Sequence, residues 1–248
     1  MLNIVNAEVK SFSELDSTNS EALRWLNNNI NKCAPTWFIT QKQIKGRGRN
    51  QNVWTSDVGN LFTTLLIPID WKIDIIPFLS CVAAVSVHEA INEFLGNKEI
   101  LKIKWPNDII YEDCKLSGIL IENQISGDKK HSIIGIGVNI NSSPENLKYN
   151  TTYLEKLTCN SNNLLENFFE KLKKRFHNNL NFYDVETIDY FREYALSNLW
   201  NLRKNIVFNY LDEKKDAILH GLGKNYEIEL EINGLIKSFS SGEISISK

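Results

Sequence analysis

The feature that most constrains the fold is a change in sequence texture near Leu202. Before it, apolar runs with strand character alternate with segments of helical periodicity, which predicts a mixed sheet with helices. After it, short alternating strands are separated by turn residues, which is typical of a small β-barrel. We therefore predict an α+β (α/β) chain with one domain of residues 1–202 and a second of residues 203–248.

The predicted elements follow from hydrophobic periodicity and from turn residues. Asn233-Gly234 is a strong hairpin signal between two of the last strands. Thr18 and Glu21 have the spacing of a capping box, which predicts a helix with Thr18 at its N-cap. The predicted strands are Trp37–Gln41, Leu61–Ile69, Ile100–Lys104, Lys115–Glu122, Ser132–Ile140, Ile206–Leu211, Ala217–His220, Tyr226–Ile232, Leu235–Phe239 and Glu243–Ser247, and the later predicted helices are Ile76–Leu95, Leu164–Leu180 and Tyr190–Trp200.

Composition excludes several broad classes of protein. The formal net charge of −2 provides no overall basic field of the kind that attracts nucleic acid. The N-terminus lacks the pattern of a secretory signal, and the longest apolar stretches are too short to span a bilayer. We expect a soluble cytoplasmic protein without membrane contact. Four scattered cysteines without a C-x-x-C pair argue against a zinc site and against disulfide bonds.

The usual nucleotide-binding fingerprints are incomplete in this chain. Gly46-x-Gly48 and Gly135-x-Gly137 both lack the third glycine of a dinucleotide motif. Gly223-Lys224 is followed by Asn225 instead of the Ser or Thr of a P-loop. If this protein binds a nucleotide, it does so through a different motif.

The segment KGRGRNQNVW, from Lys45 to Trp54, alternates cations with glycines and has no apolar periodicity. Arginine presents a rigid fork of donors that suits phosphate or carboxylate, and glycine lets the backbone approach a ligand. The segment is therefore a candidate for a mobile loop that closes on an anionic ligand. A solvated hairpin tip with incidental charges is the alternative.

A second constellation follows a predicted strand end. Lys104-Trp105-Pro106-Asn107-Asp108 places a cation before a turn, and Lys115 begins the returning strand, so a hairpin brings both lysines to one end of a sheet. Gly118 on that strand is typical of close approach by a ligand. Clustered cations of this kind need a polyanion such as ATP as their partner.

Taken together, the motifs resemble those of the biotin–protein ligases, in the order that the family has them and over nearly the whole chain. The resemblance implies a sheet like that of class II aminoacyl-tRNA synthetases, with helices on one side, and an SH3-like C-terminal β-barrel. It also implies that ATP and Mg²⁺ convert biotin to biotinyl-5′-AMP, and that biotin then passes to a lysine of a biotin carboxyl carrier domain. The motifs are Ser17-Thr18-Asn19, GRGR…W (46–54), KWPND (104–108), KLSGILIE (115–122), GIGVNIN (135–141) and SGEIS (241–245).

The resemblance assigns roles position by position. The expected catalytic residues are Arg47, Arg49, Lys104 and Lys115. The expected biotin contacts are Ser17, Thr18, Asn19, Gln43, Arg47, Gly48, Arg49, Lys104 and Gly118, and the expected ATP or adenylate contacts are Arg47, Arg49, Trp54, Asn107, Lys115 and Asn139. Three assignments stay open: Thr18 also fits a helix cap, Asn139 also fits a structural strand end, and Asp108 fits either the turn or a Mg²⁺ ligand.

This chain departs from the family pattern in two respects. Gln51 and Asn52 stand where the family repeats Gly-Arg, which predicts a stiffer loop or weaker retention of the adenylate. About sixteen residues precede Ser17, so we expect a short form of the ligase without the DNA-binding domain that some relatives carry.

Three other functions remain open at this stage. A lipoate ligase or octanoyltransferase resembles this fold and would use a similar lysine. A non-catalytic biotin-binding module would not need Lys115 or the arginines of the loop. An RNA-binding protein is disfavoured by the acidic balance. A homodimer is also expected to be possible, through an edge strand such as Ser132–Ile140.

Overall fold

The computed structural model describes residues 1–69, 78–97, 100–145, 147–158, 162–211 and 213–245. The predicted helix start at Ile76, the cysteine Cys159 and the predicted strand end at Ser247 lie outside these residues. Within them, no helix is long and apolar enough to cross a membrane.

The described residues form two sheets with helices between and around their strands. The first sheet contains β1 (Glu8–Phe12), β2 (Thr36–Thr40), β3 (Leu61–Ile69), β4 (Leu101–Lys104), β5 (Asp108–Tyr111), β6 (Cys114–Ser126) and β7 (Lys129–Val138). The helices are α1 (Thr18–Asn29), α2 (Leu79–Phe94), α3 (Leu154–Leu157), α4 (Leu164–Phe182) and α5 (Ile188–Ser197). The second sheet contains β8 (Asn205–Tyr210), β9 (Glu213–Leu222), β10 (Ile228–Ile232), β11 (Leu235–Phe239) and β12 (Glu243–Ile244).

The first sheet is mixed, as the sequence predicts. Its strand order is β1-β2-β3-β7-β6-β5-β4, with β1 and β2 parallel and every other neighbouring pair antiparallel. The predicted strand Leu61–Ile69 is confirmed residue for residue. Its near-continuous apolar character follows from its position, because both of its faces are buried against other elements.

Helices cover both faces of this sheet, so the expected one-sided arrangement is wrong for α1. Along β2, Trp37 belongs to the main core with α2 and α4, whereas Phe38 packs with Ala22 and Leu26 of α1 in a separate cluster. Adjacent strand residues point to opposite faces, so the two helix groups lie on opposite sides. The sequence shows the amphipathic stripe of α1 but not which face of the sheet it covers.

The predicted dimer contact through Ser132–Ile140 is also wrong. The strand that contains these residues, β7, lies in the middle of the sheet and is hydrogen-bonded to β3 on one side and β6 on the other. It therefore offers no free edge to a second copy. Homodimerisation through another surface stays a prediction.

The second sheet is antiparallel and curled. Its order is β11-β10-β9-β8-β12, and Phe239 of β11 packs its ring 4.9 Å from that of Phe208 on β8. This contact bends the sheet towards a barrel, although no ladder closes it within the described residues. The predicted hairpin at Asn233-Gly234 is confirmed, with both residues at positive φ.

One tryptophan joins the two sheets. Trp105 is buried, and its indole Nε1 donates to the carbonyl of Tyr226 at 2.8 Å. The Tyr226 hydroxyl donates in turn to the carbonyl of Pro106 at 3.2 Å. The second sheet thus supports the turn that follows Lys104. The domain boundary near Leu202 stays a prediction.

Candidate active site

One cavity of about 590 Å³ brings together segments from across the chain. Its walls come from the start of α1, the 46–54 loop, the β4–β5 hairpin, the middle of β6 and β7, and the second sheet. Of the residues that the sequence singles out, it is lined by Ser17, Thr18, Asn19, Gln43, Arg47, Gly48, Arg49, Trp54, Lys104, Asn107, Asp108, Lys115 and Gly118. Asn139 lies outside it, in an adjoining small recess that also contacts Trp54 and Lys115.

Two lysines share one buried carboxylate at the floor of the cavity. Lys104 Nζ lies 3.0 Å from Asp108 Oδ2, and Lys115 Nζ lies 2.8 Å from Asp108 Oδ1. Burial by itself would raise the pKa of Asp108, but the two ammonium groups outweigh it and lower that pKa to about 2. The hairpin prediction is confirmed for both lysines, and the triad carries a net charge of +1.

The hairpin register accounts for this arrangement. Lys104 pairs with Asp108 across the β4–β5 turn, and Asp108 pairs with Gly118 on β6. A bulge between Ile109 and Ile110 shifts the register, so that Ile110 pairs with Lys115. Asn107 holds the turn, since its side-chain amide donates to the Ile119 carbonyl. A contact between Asn107 and the nucleotide stays a prediction.

Asp108 does not fit the predicted role of a Mg²⁺ ligand. Both of its carboxylate oxygens are taken by ammonium groups, and the described residues contain no cluster of three His, Cys, Asp or Glu side chains that would hold a metal. A cation would have to enter against the positive charge of two lysines. The carboxylate therefore serves to position the lysines.

The glycine–arginine loop is a closed miniature hairpin. Trp54 N donates to the Gly46 carbonyl at 2.9 Å, and Gly48 N donates to the Asn52 carbonyl at 2.7 Å. A β-carbon on Gly46 would lie only 2.5 Å from the Trp54 carbonyl oxygen, so this close approach requires glycine. Asn50 occupies the left-handed region at the tip, with φ of 51°.

The two arginines of the loop face different parts of the protein. Arg47 forms an ion pair with Glu122 on β6 at 3.1 Å. Arg49 is more buried and donates at 3.3 Å to the carbonyl of Gly242, the residue before β12 of the second sheet. Burial lowers the pKa of Arg49, while the negative charges of Asp108 and Glu243 oppose that shift. Arg47 and both lysines therefore already have a carboxylate partner within the protein, which the sequence argument for a polyanion did not foresee.

Trp54 lies flat on a glycine surface. A β-carbon on Gly137 would lie 2.5 Å from its ring, and one on Gly118 would lie 2.8 Å from it. Lys115 Nζ lies 5.4 Å from the ring centroid, within the range of a cation–π contact. The indole Nε1 is buried and has no hydrogen-bond partner among the described residues. The glycine in β6, predicted to allow close approach, thus admits this indole; a contact between Trp54 and adenine stays a prediction.

A polar network connects the start of α1 with both ends of the loop. The Gln43 side-chain oxygen accepts from Thr18 N at 2.9 Å, and its amide donates to Ser56 beside Trp54. The Thr64 hydroxyl donates to Asn19 Oδ1 at 2.6 Å, and Asn19 Nδ2 donates to Glu122 Oε2 at 2.8 Å. Because Glu122 also holds Arg47, the predicted biotin contacts and the loop belong to one network.

The capping role considered for Thr18 is wrong. Ser17 occupies the N-cap position of α1, makes no side-chain cap hydrogen bond there, and accepts from Glu21 N through its main-chain carbonyl. Thr18 is the first helical residue, and its hydroxyl lies 3.2 Å from Gln43 Oε1. Its polar atoms therefore belong to the cavity wall.

Asn139 has a structural set of contacts. Its side-chain amide donates to the Thr152 carbonyl at 3.0 Å, and its main-chain atoms bond to Leu116 and Leu154. These bonds hold the segment after β7 against β6. Of the two roles left open for Asn139, the strand-end role accounts for its contacts.

Several lining residues escape sequence reasoning. Gly135 leaves space for the Asn19 side chain, since a β-carbon there would collide with the Asn19 amide. Gly137 leaves space for the Trp54 ring in the same way. Asn52, one of the two departures from the family pattern, also lines the cavity. The other lining residues that were not singled out are Val53, Ile119, Leu120, Ile136, Leu147, Lys148, Tyr149, Asn209, Lys214, Glu243, Ile244 and Ser245. The motifs GIGVNIN and SGEIS point to some of them, but no sequence signal marks Asn209 or Lys214.

Comparison with known proteins identifies relatives for this arrangement. The model of the biotin/lipoate A/B protein ligase family matches residues 12–139. The bifunctional ligase/repressor BirA of Bacillus subtilis is 41% identical over 134 residues, which cover 52% of this chain and 39% of that protein. A biotin–[acetyl-CoA-carboxylase] ligase of Paracoccus denitrificans is 36% identical over 136 residues, covering 52% of this chain and 53% of that protein. The chain thus spans about half the length, or less, of these curated relatives.

A solved structure extends the likeness to nearly the whole chain. The biotin protein ligase from Aquifex aeolicus in complex with biotin and ATP superposes with a TM-score of 0.78 at 28% identity. The match covers 96% of this chain and 97% of that one, so it includes both sheets.

Proposed function

This chain belongs to the biotin/lipoate A/B protein ligase family, and we propose that within the family it is an ATP-dependent biotin–protein ligase. It would convert biotin and ATP to biotinyl-5′-AMP and pyrophosphate, and then transfer biotin to a lysine of a biotin carboxyl carrier domain. The relatives named for biotin ligation support the choice of biotin, as does the likeness to a ligase solved with biotin and ATP.

The observation that carries the proposal is the gathering of four cations in one cavity. Arg47 and Arg49 reach it from the loop, and Lys104 and Lys115 reach it from the β4–β5–β6 hairpins. The first step joins a carboxylate to a triphosphate, so two anions must approach each other. Fixed cations reduce that repulsion and stabilise the charge that develops on the transferring phosphoryl group.

The triad of Lys104, Asp108 and Lys115 holds the two ammonium groups in position before substrate binds. A carboxylate held ionised between two ammonium groups fixes both lysines before any substrate arrives, because moving either one would leave a buried charge unpaired. Their remaining N–H donors are available to substrate oxygens. We assign Lys104 to the biotin carboxylate and Lys115 to the phosphate that becomes part of the adenylate.

The polar network at the start of α1 supports a site for the biotin ring. Thr18, Asn19 and Gln43 present hydroxyl and amide groups, which suit the donors and acceptors of a ureido ring. The same network reaches Trp54 through Ser56 and Arg47 through Glu122. Biotin bound there would contact the groups that hold the loop.

The 46–54 loop is assigned the role of a lid. A mixed anhydride is hydrolysed by water, so the site must exclude water until the acceptor lysine arrives. Arg49 holds the loop to the second sheet through Gly242, and Trp54 covers the glycines of the two central strands. A loop held closed by these two contacts would enclose the adenylate.

The described residues contain no group of three His, Cys, Asp or Glu side chains that could hold a metal ion, so no step is assigned to a protein-bound metal. ATP in cells carries Mg²⁺ on its phosphates, and protein cages for that ion are not required for binding it with a nucleotide. The use of ATP also supports a cytoplasmic location, and the acceptor is proposed to be the carrier domain of a carboxylase.

Pyrophosphate exchange with three acids tests the proposal. The full chain is incubated with ATP, labelled pyrophosphate and either biotin, lipoate or octanoate, and labelled ATP is measured. We expect exchange with biotin alone. Exchange with lipoate but not biotin would identify a lipoate ligase, and biotin binding without exchange would identify a non-catalytic biotin-binding module; either result would refute the proposal.

A further inference from the structure

The cations of the cavity differ in whether the protein already neutralises them. Lys104 and Lys115 share Asp108, and Arg47 pairs with Glu122. Arg49 has no ion pair with any described residue but lies in the field of Asp108 and Glu243. Lys148 and Lys214 also line the cavity, and neither side chain makes a hydrogen bond or ion pair with another residue in the described part of the chain.

Lys214 is held in place by the second sheet. It pairs with Asn209 across β8 and β9, and Asn209 pairs with Glu243 on β12. Residues directly opposite in adjacent strands share a face, so the three side chains form a row, and all three line the cavity. Lys148, by contrast, lies in the irregular segment between β7 and α3.

Lys215, the next residue along β9, differs from Lys214 in the direction of its side chain and in its ion pairing. Lys215 is next along β9, so its side chain points to the other face, where it forms an ion pair with Glu213 at 2.8 Å. It does not line the cavity. The strand therefore presents a lysine with an ion pair away from the site and, within the described residues, a lysine without an ion pair towards it.

We propose that Lys214 binds the pyrophosphate portion of the nucleotide, forming a leaving-group subsite on the second sheet. This inference rests on the proposed adenylation. In that step a biotin carboxylate oxygen bonds to the α-phosphorus while the bond to the bridging oxygen breaks, and its electron pair leaves with pyrophosphate. The leaving group gains negative charge, which a cation without a competing carboxylate stabilises.

The position of Lys214 suits this role better than that of the triad lysines. A cation that is already paired with a carboxylate serves one substrate oxygen. Pyrophosphate, in contrast, carries several negative charges, and it must leave the site after each turnover. Lys214 is exposed, so it binds the anion more weakly and lets it leave to solvent.

Charge removal tests the subsite. Pyrophosphate is titrated calorimetrically into the full-length wild-type, Lys214→Met, Lys214→Arg and Lys215→Met proteins, and biotin is titrated separately into each. We expect Lys214→Met to weaken pyrophosphate binding about tenfold, in line with the loss of one partly exposed charged hydrogen bond. Lys214→Arg and Lys215→Met should bind as the wild type does, and biotin affinity should be unchanged in all four proteins.

Exchange kinetics provide the second readout. In biotin-dependent ATP–pyrophosphate exchange, Lys214→Met should raise the KM for pyrophosphate and for ATP, with no change in the KM for biotin. An unchanged pyrophosphate affinity in Lys214→Met, or an equal loss in Lys215→Met, would overturn the inference. Failure of the wild type to exchange with biotin would refute the proposed function instead, and calorimetry would still decide the role of Lys214.

Discussion

Replacing Asp108 with asparagine removes the buried carboxylate that Lys104 and Lys115 share. Lys104 has only 3% of its side chain exposed, so its ammonium group would lie in the protein interior without a counter-charge. Loss of one partner from a buried ion pair destabilises a protein by about 3–5 kcal/mol. We expect Asp108→Asn to lower the free energy of unfolding by about 3 kcal/mol at pH 7.

The dependence of the free energy of unfolding on acidic pH gives a second measure of what Asp108 contributes to stability. The pKa of Asp108 is lowered from 3.8 to about 2, a shift that corresponds to about 2.5 kcal/mol. Because the folded pKa lies below the unfolded one, this stabilisation is present above about pH 4 and is lost as the pH falls towards 2. The variant should therefore lose less stability than the wild type between pH 5 and pH 2, a window set by that shift.

Urea unfolding followed by tryptophan fluorescence at a series of pH values measures both effects. Asp128→Asn serves as a matched control, since Asp128 is exposed in the turn between β6 and β7 and has no ion pair within the described residues. Its curve should follow that of the wild type. Equal stability of Asp108→Asn and the wild type at pH 7, with parallel acid limbs, would refute the reasoning.

Three further variants probe the loop and the strand beneath Trp54. Gly137→Ala should displace the Trp54 ring, because a β-carbon there would lie 2.5 Å from it, and a red-shifted tryptophan emission together with at least tenfold faster release of biotinyl-5′-AMP would show this. Gln51→Gly combined with Asn52→Arg should slow adenylate release, measured by filter retention of labelled adenylate; unchanged or faster release would contradict the sequence-based prediction. Arg49→Ala removes the donor that joins the loop to the second sheet and should raise the KM for ATP about tenfold, whereas an unaltered KM would argue against the lid.

Local sequence signals predict the hairpin part of the site well. Lys104 and Lys115 flank turns whose lengths and residues fix how the strands return, so their proximity follows from strand geometry. Local sequence signals also predict the bounds of β3 and the turn at Asn233-Gly234. In each case the information lies within a few residues of the feature that it determines.

Local sequence signals do not predict contacts between residues that are distant in the sequence. Arg47 and Glu122 are 75 positions apart, and their ion pair depends on the order of the strands in the sheet. The central position of β7 and the placement of α1 on the opposite face depend on the same order. Periodicity reports which side of a segment is buried but not which neighbour buries it, and the dimer edge was misassigned for this reason.

A crystal structure of this chain with biotin and ATP tests the central claim most directly. The account predicts one ligand-filled cavity, with Lys104, Lys115, Arg47 and Arg49 within hydrogen-bond distance of carboxylate or phosphate oxygens, and the indole of Trp54 beneath the closed loop. Nucleotide bound elsewhere, or in this cavity without contact to any of these four cations, would contradict it.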